Sequence, residues 1–146
     1  MFKRLRSLLS YSLIITLAVV WFFWLRPTNL GGPATFVIVS GVSMEPTLYS
    51  GDLVILHEQP EYQVGDIVAY KVTNGNVIHR IVGVEGERFI LQGDNKPGID
   101  PWKPAAGDIL GKLWLHIPDA GEWMEKLQEP LWLAVFIAII CFVLLL

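Results

Sequence analysis

Hydrophobic positions fall into two long blocks, one near each end of the chain. The first block has no charged residue over 19 positions, from Ser7 to Leu25. As a helix rising about 1.5 Å per residue it would reach roughly 28 Å, enough to cross the hydrocarbon core of a bilayer. The second block, Leu131 to Leu146, is uncharged for 16 residues and is about four residues short of an untilted span. We therefore predict a transmembrane helix near the N-terminus and a second, short transmembrane helix over residues 130–146.

The residues around the first block predict its processing and its orientation. Three basic residues and no acid precede it, and the bulky run Trp21–Trp24 stands where cleavage of a signal peptide needs small residues. An uncleaved anchor over residues 1–26 is therefore favoured. Because short cationic tails stay in the cytoplasm, we expect an integral membrane protein whose residues 27–129 lie on the extracytoplasmic or lumenal side.

Between the two blocks the chain changes to short runs of β-branched and aromatic residues, separated by glycine, proline and asparagine. Such runs predict strands, and Asn74-Gly75-Asn76 and Glu85-Gly86 predict hairpin turns between them. A short amphipathic helix is predicted over residues 119–128. We therefore expect an all-β catalytic domain of the folded-sheet or barrel kind. The predicted strands are Thr35–Val39, Leu53–Leu56, Ile67–Val72, Val77–Val82, Arg88–Leu91 and Ile109–Leu115.

Composition narrows the class of function. Hydrophobic residues make up 53% of the chain and charged residues only 17%, an unusually apolar balance for a soluble domain. The segment from Arg26 to Pro130 has a net charge of −6 and no basic stripe, which argues against a nucleic-acid partner. Cys141 is the only cysteine, so an intrachain disulfide and a cysteine-ligated metal are excluded, and we predict no cofactor. Trp102 and Trp114 are expected to pack in the core or in turns rather than against lipid.

Ser43 follows the first predicted strand, in the sequence Ser40-Gly41-Val42-Ser43-Met44-Glu45-Pro46. A serine on such an irregular backbone presents its hydroxyl, and nearby N–H groups can face a developing oxyanion instead of pairing in a ladder. The same residue types also build ordinary turns. Ser43 is therefore a candidate nucleophile that needs a base.

His79 is the candidate for that base. It lies in the middle of a predicted strand and shares one face with Val77 and Ile81. An imidazole on an apolar face is desolvated and able to accept a proton. A structural histidine hydrogen-bonded inside the core fits the same pattern.

Two acids complete the set of candidates. Asp94 and Asp100 are six residues apart in a loop rich in glycine, proline and asparagine. A carboxylate in such a loop can orient an imidazole through its other nitrogen, although a plain solvated turn has the same composition. His57 and His116 lie near strand ends and are interpreted as ordinary surface or edge residues.

Taken together, these segments resemble signal peptidase I. Ser43-Met44-Glu45-Pro46-Thr47, then Ile78-His79-Arg80, then Gly93-Asp94-Asn95 with a second acid six residues after the first occur in that family's order, behind an N-terminal anchor. Histidine stands where the common bacterial form has lysine. The resemblance is therefore to the serine–histidine branch that is typical of the endoplasmic reticulum and of archaea.

The resemblance implies a role for each residue. Ser43 is the nucleophile, His79 the general base and Asp100 the acid that orients the histidine. Asp94 is a supporting or alternative acid. Many family members carry a serine where this chain has Gly41, so the backbone N–H of Ser43 is the expected oxyanion donor.

The implied function is removal of signal peptides from secreted preproteins by a membrane-bound serine endopeptidase that forms an acyl-enzyme. The implied partners are signal peptides of secretory preproteins, the lipid membrane, and protein translocation machinery or accessory subunits. An extended substrate is expected to pair with a strand edge such as Thr35–Val39. Two alternatives remain: a serine–lysine peptidase with Lys71 or Lys96 as the base, and a non-catalytic membrane scaffold that only binds preproteins.

Overall fold

The computed structural model describes residues 2–73 and 75–128, together with residue 135. Each of the six predicted strands is present in it. The elements are helix α1 (Phe2–Val20), a π-helical turn (Trp21–Leu25), a 3₁₀ turn (Thr28–Leu30), strands β1 (Ala34–Ile38), β2 (Leu53–His57), β3 (Ile67–Val72), β4 (Gly75–Glu85) and β5 (Arg88–Gln92), a second 3₁₀ turn (Ala106–Asp108), strand β6 (Ile109–Ile117) and helix α2 (Gly121–Gln128).

The strands form one antiparallel sheet in the order β1-β2-β6-β3-β4-β5, which confirms the predicted all-β domain. β6 is last in sequence but lies between β2 and β3, so it joins the two halves of the sheet. Register shifts at Ile55/Leu56, Ala69/Tyr70 and Ile81/Gly83 mark irregularities in three of the pairings. Because bulges of this kind bend and twist a sheet, the strands fold around a core instead of lying flat.

Alternation along β3 sends its side chains into two separate hydrophobic clusters. Ile67 and Ala69 belong to the first cluster, which also takes Met44 from the loop after β1. Val68 and Tyr70 belong to the second. β3 is thus buried on both faces, which explains its nearly continuous apolar sequence. It also places β3 directly beneath the loop that carries Ser43.

The predicted boundaries of β4 and α2 differ from those in the structure. Alternation predicts a strand over 77–82 only, but β4 is longer because its pairing with β5 continues beyond the irregularity at Ile81/Gly83. Helix α2 begins at Gly121 and not at Asp119, because Asp119 has a positive φ of 56°. Its N–H donates to the carboxylate of Asp52, the residue before β2.

Helical backbone extends from α1 through the π-helical turn, over the whole first apolar block. Across the described part of the chain, no helix combines the length and the apolar character that a membrane crossing requires. The predicted second membrane helix, 130–146, lies outside the described residues except for Val135. Asn74 of the first predicted hairpin also lies outside them, but the hairpin itself is present, since Val72 pairs with Gly75.

Trp102 and Trp114 are more exposed than the sequence predicts. They are 46% and 49% exposed, so neither is a core residue. Trp114 instead stacks on His57, with the ring centroids 4.4 Å apart.

Asp52 is a buried carboxylate that ties the sheet to the segment leading into α2. It is 1% exposed and accepts hydrogen bonds from the N–H of Tyr49 at 2.8 Å, the N–H of Asp119 at 3.0 Å and the ring of His116 at 2.7 Å. Burial alone raises the pKa of Asp52, but these donors outweigh burial and hold the pKa below its ordinary value. His116 is therefore not an ordinary surface residue.

Asp52→Asn is expected to destabilise the fold by about 1–3 kcal/mol at neutral pH, because buried donors lose their charged acceptor. A carboxylate whose folded-state pKa is lowered contributes stability above the unfolded value of about 3.9 and loses it as the pH falls through the folded value. The difference between wild type and Asp52→Asn should therefore shrink in acid. Urea denaturation of the purified chain across this pH range measures both effects.

Glu122→Gln is the control for this prediction. Glu122 forms an exposed ion pair with Lys126 at 3.8 Å, and such pairs contribute little to stability. A difference for Asp52→Asn that did not change with pH would contradict the assigned role of the charge.

Candidate active site

The loop after β1 holds Ser43 on a fixed, non-strand backbone. Gly41 has a φ of 91°, in the left-handed region that glycine adopts without strain, and turns the chain just before Ser43. Met44, which is 1% exposed, packs into the first hydrophobic cluster. Asn95 holds the loop from the other side, because its backbone N–H donates to Ser43 O at 2.9 Å and its Nδ2 donates to Val42 O at 3.0 Å.

Strand β4 brings His79 to the same place. The residue is 3% exposed, its Nε2 lies 3.0 Å from Ser43 Oγ, and its Nδ1 lies 2.5 Å from Asp100 Oδ2. An ionised carboxylate accepts hydrogen bonds and has no proton to donate. Nδ1 therefore carries the proton, and Nε2 is left to accept from the serine hydroxyl. The hydroxyl, the imidazole and the carboxylate thus form one continuous series of hydrogen bonds.

Asp100 is buried and is held by groups from two strands. Its backbone N–H donates to Leu91 O of β5 at 2.7 Å, and the hydroxyl of Tyr70 on β3 donates to Oδ2 at 2.9 Å. Burial and the adjacent carboxylate both raise the pKa of Tyr70, which keeps its hydroxyl protonated and able to donate. Lys96 Nζ lies 3.5 Å from Oδ1. The Tyr70 hydroxyl and the Lys96 ammonium offset part of the cost of removing the carboxylate from water, although Oδ1 has no hydrogen-bond partner among the described residues.

Asp94 lies in the same loop but contacts different groups. It accepts two hydrogen bonds from Arg80, at 2.8 and 2.7 Å, and one from Thr47 Oγ1 at 2.5 Å. The contact with Arg80 lowers the pKa of Asp94 despite its partial burial. Since Arg80 follows His79 on β4, Asp94 ties that strand to the nucleophile loop. Of the two candidate acids, Asp100 is the one that contacts the imidazole.

A groove of about 360 Å³ opens beside Ser43. Residues 37–39 at the end of β1 and 76–79 in β4 line it, with Ala69 and Trp102. Both strands have free backbone edges in the described sheet: β1 is the outermost strand, and β5 pairs with β4 only from residue 80 onward. The groove therefore offers unpaired strand edges and a mainly apolar surface next to the hydroxyl.

Gly93 lets the acidic loop approach the other two segments closely. A Cβ at this position would lie 2.5 Å from Ser43 O and 2.9 Å from His79 Nε2. Both distances are shorter than real carbon contacts allow, so a larger residue here must push the serine loop or the imidazole aside.

The serine hydroxyl is hydrogen-bonded to an imidazole, and a carboxylate orients that imidazole. This arrangement is typical of acyl transfer. The sequence matches the family model described as Peptidase S24-like over residues 15–113. It is 32% identical to the signal peptidase complex catalytic subunit SEC11 of Colletotrichum graminicola, over 87% of this chain and 83% of the relative. It is 30% identical to the corresponding subunit of Neurospora crassa, over the same shares. The chain belongs to the S24-like peptidase family. This membership, with the similarity to SEC11, confirms the resemblance to signal peptidase I.

Within this S24-like peptidase, the structure brings together Ser43, His79 and Asp100 as the sequence motifs predict. Neither alternative lysine base contacts the Ser43 hydroxyl in the described part of the chain, although Lys96 lines the same groove. Lys71 is exposed near the hairpin end of β3, paired with Asn76, and Lys96 approaches Asp100. Among the described residues, His79 is the basic side chain that contacts the serine hydroxyl.

Sequence reasoning missed three residues that support the site: Tyr70, Asn95 and Thr47. A signal for Tyr70 was available, because it lies two residues from Val68, the cross-strand partner of His79, and so faces the same side of the sheet. A buried tyrosine there needs a partner for its hydroxyl. Asn95 and Thr47 gave no such signal, since their contacts join loops whose relative placement no periodicity encodes.

Gly93→Ala is expected to lower peptidase kcat/KM by roughly 10²-fold, since displacing reacting groups by about 1 Å has an effect of that size. Steady-state hydrolysis of a fluorogenic peptide measures it. Gly107→Ala is the matched control, because nothing lies within 4 Å of its added Cβ, and it should keep the wild-type rate. Wild-type kcat/KM in a folded Gly93→Ala protein would show that the close approach is not needed.

Proposed function

We propose that this chain is a membrane-bound serine endopeptidase that removes signal peptides from secretory preproteins. Ser43 is the nucleophile, His79 the general base and Asp100 the acid that positions the histidine. The observation that carries the proposal is the 3.0 Å contact between Ser43 Oγ and His79 Nε2, beside a groove with free strand edges. The names of the relatives, catalytic subunits of a signal peptidase complex, supply the substrate class.

The proposed reaction proceeds through an acyl-enzyme. Ser43 Oγ attacks the scissile carbonyl while its proton passes to His79 Nε2, and the imidazolium then donates that proton to the departing amine. Water, activated by the same nitrogen, hydrolyses the ester and restores the serine hydroxyl. Asp100 accepts from Nδ1–H throughout, so it keeps the ring in the correct tautomer and stabilises the imidazolium.

The backbone N–H of Ser43 is the proposed oxyanion donor. In the described part of the chain this N–H has no hydrogen-bond acceptor, so it is available when the carbonyl oxygen becomes negative. Gly41 has no side chain to assist it, while Ser40 lines the same groove. A preorganised donor of this kind stabilises the tetrahedral intermediate more than the substrate.

Free strand edges support an extended substrate in the groove. A peptide laid along residues 37–39 and 76–79 can pair with main-chain groups there, while alternate side chains point toward the groove wall. Met44, Ala69 and Ile78 form part of that wall. An apolar wall of this kind suits small residues before the cut, the substrate preference that the resemblance to signal peptidase I implies.

Membrane anchoring through residues 1–26 is part of the proposal. The uncharged run Ser7–Leu25 continues past the end of α1 through the π-helical turn, and Leu13, Ile15 and Phe23 in it are 60%, 63% and 60% exposed. Exposure of this many apolar side chains to water is unfavourable, and insertion into lipid removes them from water. Residues 27–129 then lie on the extracytoplasmic or lumenal side, while the predicted second membrane helix, 130–146, lies outside the described residues except for Val135. The complex named for the relatives suggests accessory subunits as partners, and the resemblance to signal peptidase I adds protein translocation machinery.

Ser43→Ala and His79→Ala are expected to lower the rate of preprotein cleavage by roughly 10⁴-fold or more, and Asp100→Asn by about 10⁴-fold. The reason is that each variant removes one member of the hydrogen-bonded series of serine, histidine and aspartate. The purified chain is incubated in detergent with one preprotein, and the mass of the product's new N-terminus gives the cleaved bond. Product from Ser43→Ala at the wild-type rate would disprove the assigned nucleophile. No product from either wild type or Ser43→Ala would favour the non-catalytic scaffold.

Asp94→Asn is expected to lower kcat/KM by about tenfold at most, far less than Asp100→Asn, because it weakens a clamp and leaves the imidazole's acceptor in place. Both acids lie in one loop, so the pair forms a matched comparison with the same change of charge. Kinetics on the preprotein and a thermal melt are measured for both variants. Equal kinetic losses would contradict the separate roles assigned to the two carboxylates.

A further inference from the structure

His57 holds the outer end of the N-terminal helical segment to the sheet. Its Nε2 lies 2.8 Å from the carbonyl oxygen of Trp24, in the π-helical turn. The ring stacks on Trp114 of β6, with planes 11° apart. The last carbonyls of a helix have no partner within it, and a histidine side chain can satisfy one of them. We call this contact of His57, Trp24 and Trp114 the anchor joint.

Two sets of contacts fix the angle between the helix end and the sheet. One is the anchor joint. The other lies just after the helix, where Ala34 N–H donates to Arg26 O at 3.2 Å and Pro27 forms a bridge with Ala34. A groove of about 580 Å³ lies between the helix end and the sheet, lined by Trp21, Leu25 and Pro27 on the helical side and by Phe36, Leu53 and Met124 among others. Apolar side chains that line an open groove do not interlock, so they allow rotation that close packing would prevent. The hydrogen bond and the ring stack at His57 restrict that rotation.

One strand pair connects the anchor joint to Ser43. His57 pairs with Ala34 at one end of β1 and β2, and Leu53 pairs with Ile38 at the other end. Five paired residues in extended conformation span about 13 Å. Main-chain bonds between Val39 and residues 51 and 52, at 2.9 and 2.8 Å, continue the connection toward the nucleophile loop. A change in angle at the joint is therefore transmitted to Ser43 by a stiff element.

We propose that the anchor joint sets the height of Ser43 above the membrane and thereby selects which peptide bond of a membrane-inserted signal peptide is cut. This inference rests on the proposed function. Enzyme anchor and substrate helix are both positioned by the same bilayer, and an extended substrate advances by about 3.3 Å per residue. A fixed height presents one bond to Ser43, whereas a loose joint presents neighbouring bonds as well.

The test uses the full chain in lipid nanodiscs and a precursor whose residues between the apolar segment and the mature part are all alanine. Every bond in that stretch offers the same side chains, so position alone decides the cut. Product masses give the ratio of the main bond to its neighbours. His57→Phe keeps a ring to stack but has no N–H donor, and Trp114→Ala removes the stack. Each is expected to lower the ratio by about fivefold, the factor implied by the loss of one hydrogen bond or one ring stack of about 1 kcal/mol.

Two controls separate positioning from a general loss of structure. Trp123→Ala removes an indole of α2 that is 68% exposed and lies beside Lys126, outside the anchor joint, and should keep the wild-type ratio. A short peptide with the cleavage sequence but no apolar segment should be cut by every variant with kcat/KM within about twofold of wild type, because the anchor does not position it.

A wild-type bond ratio in folded Trp114→Ala or His57→Phe would overturn the proposal. So would a loss of kcat/KM on the short peptide with the bond ratio unchanged, since that result assigns the joint a purely structural role. Failure of the proposed function gives a different result, in which the wild-type chain cuts neither the precursor nor the short peptide.

Discussion

The chemistry proposed for this chain depends on one buried contact, the hydrogen bond from the His79 ring to the Asp100 carboxylate. A carboxylate removed from water is tolerated only when donors replace its hydration, and here the imidazole and the Tyr70 hydroxyl both donate to Oδ2. The same contact decides the tautomer of the histidine. Nε2 is consequently the nitrogen that accepts from Ser43, so burial of the acid and activation of the serine have one physical origin.

Contacts between two loops and a strand bring Asp100 to the imidazole of His79. Residues 43, 79 and 100 come from a loop, a central strand and a second loop, and Gly93 and Asn95 let the two loops touch. Asp94 adds a clamp through Arg80, next to the histidine on β4. Removing the clamp and removing the acid therefore have different consequences, although both side chains are aspartates of one loop. The distinction lies in which neighbour each carboxylate faces.

Local signals in the sequence were enough to predict the strands and to mark Ser43 and His79 as candidates, whereas Asp100 was assigned through the resemblance to signal peptidase I. Alternation places His79 with Val77 and Ile81, and the irregular segment around Ser43 marks itself by its glycine and proline. Local signals do not encode the contacts between elements. The ends of β4 depend on an irregularity in its pairing with β5, and the choice between the two acids depends on how a loop of irregular backbone turns. Neither property has a period along the chain.

His57 and His116 show the same limit most clearly, since both were interpreted as ordinary strand-end residues. Each instead takes part in attaching a flanking segment to the sheet. His57 meets the end of the N-terminal helical turn, and His116 bonds to Asp52, which also accepts from the N–H of Asp119 ahead of α2. Asp52 immediately precedes β2 and His57 ends it, so a single strand is the reference for both attachments. β2 also pairs along its whole length with β1, the strand that leads to Ser43. The position of the nucleophile relative to both flanking segments is therefore set by one strand, which is why polar side chains at its two ends matter more than their exposure suggests.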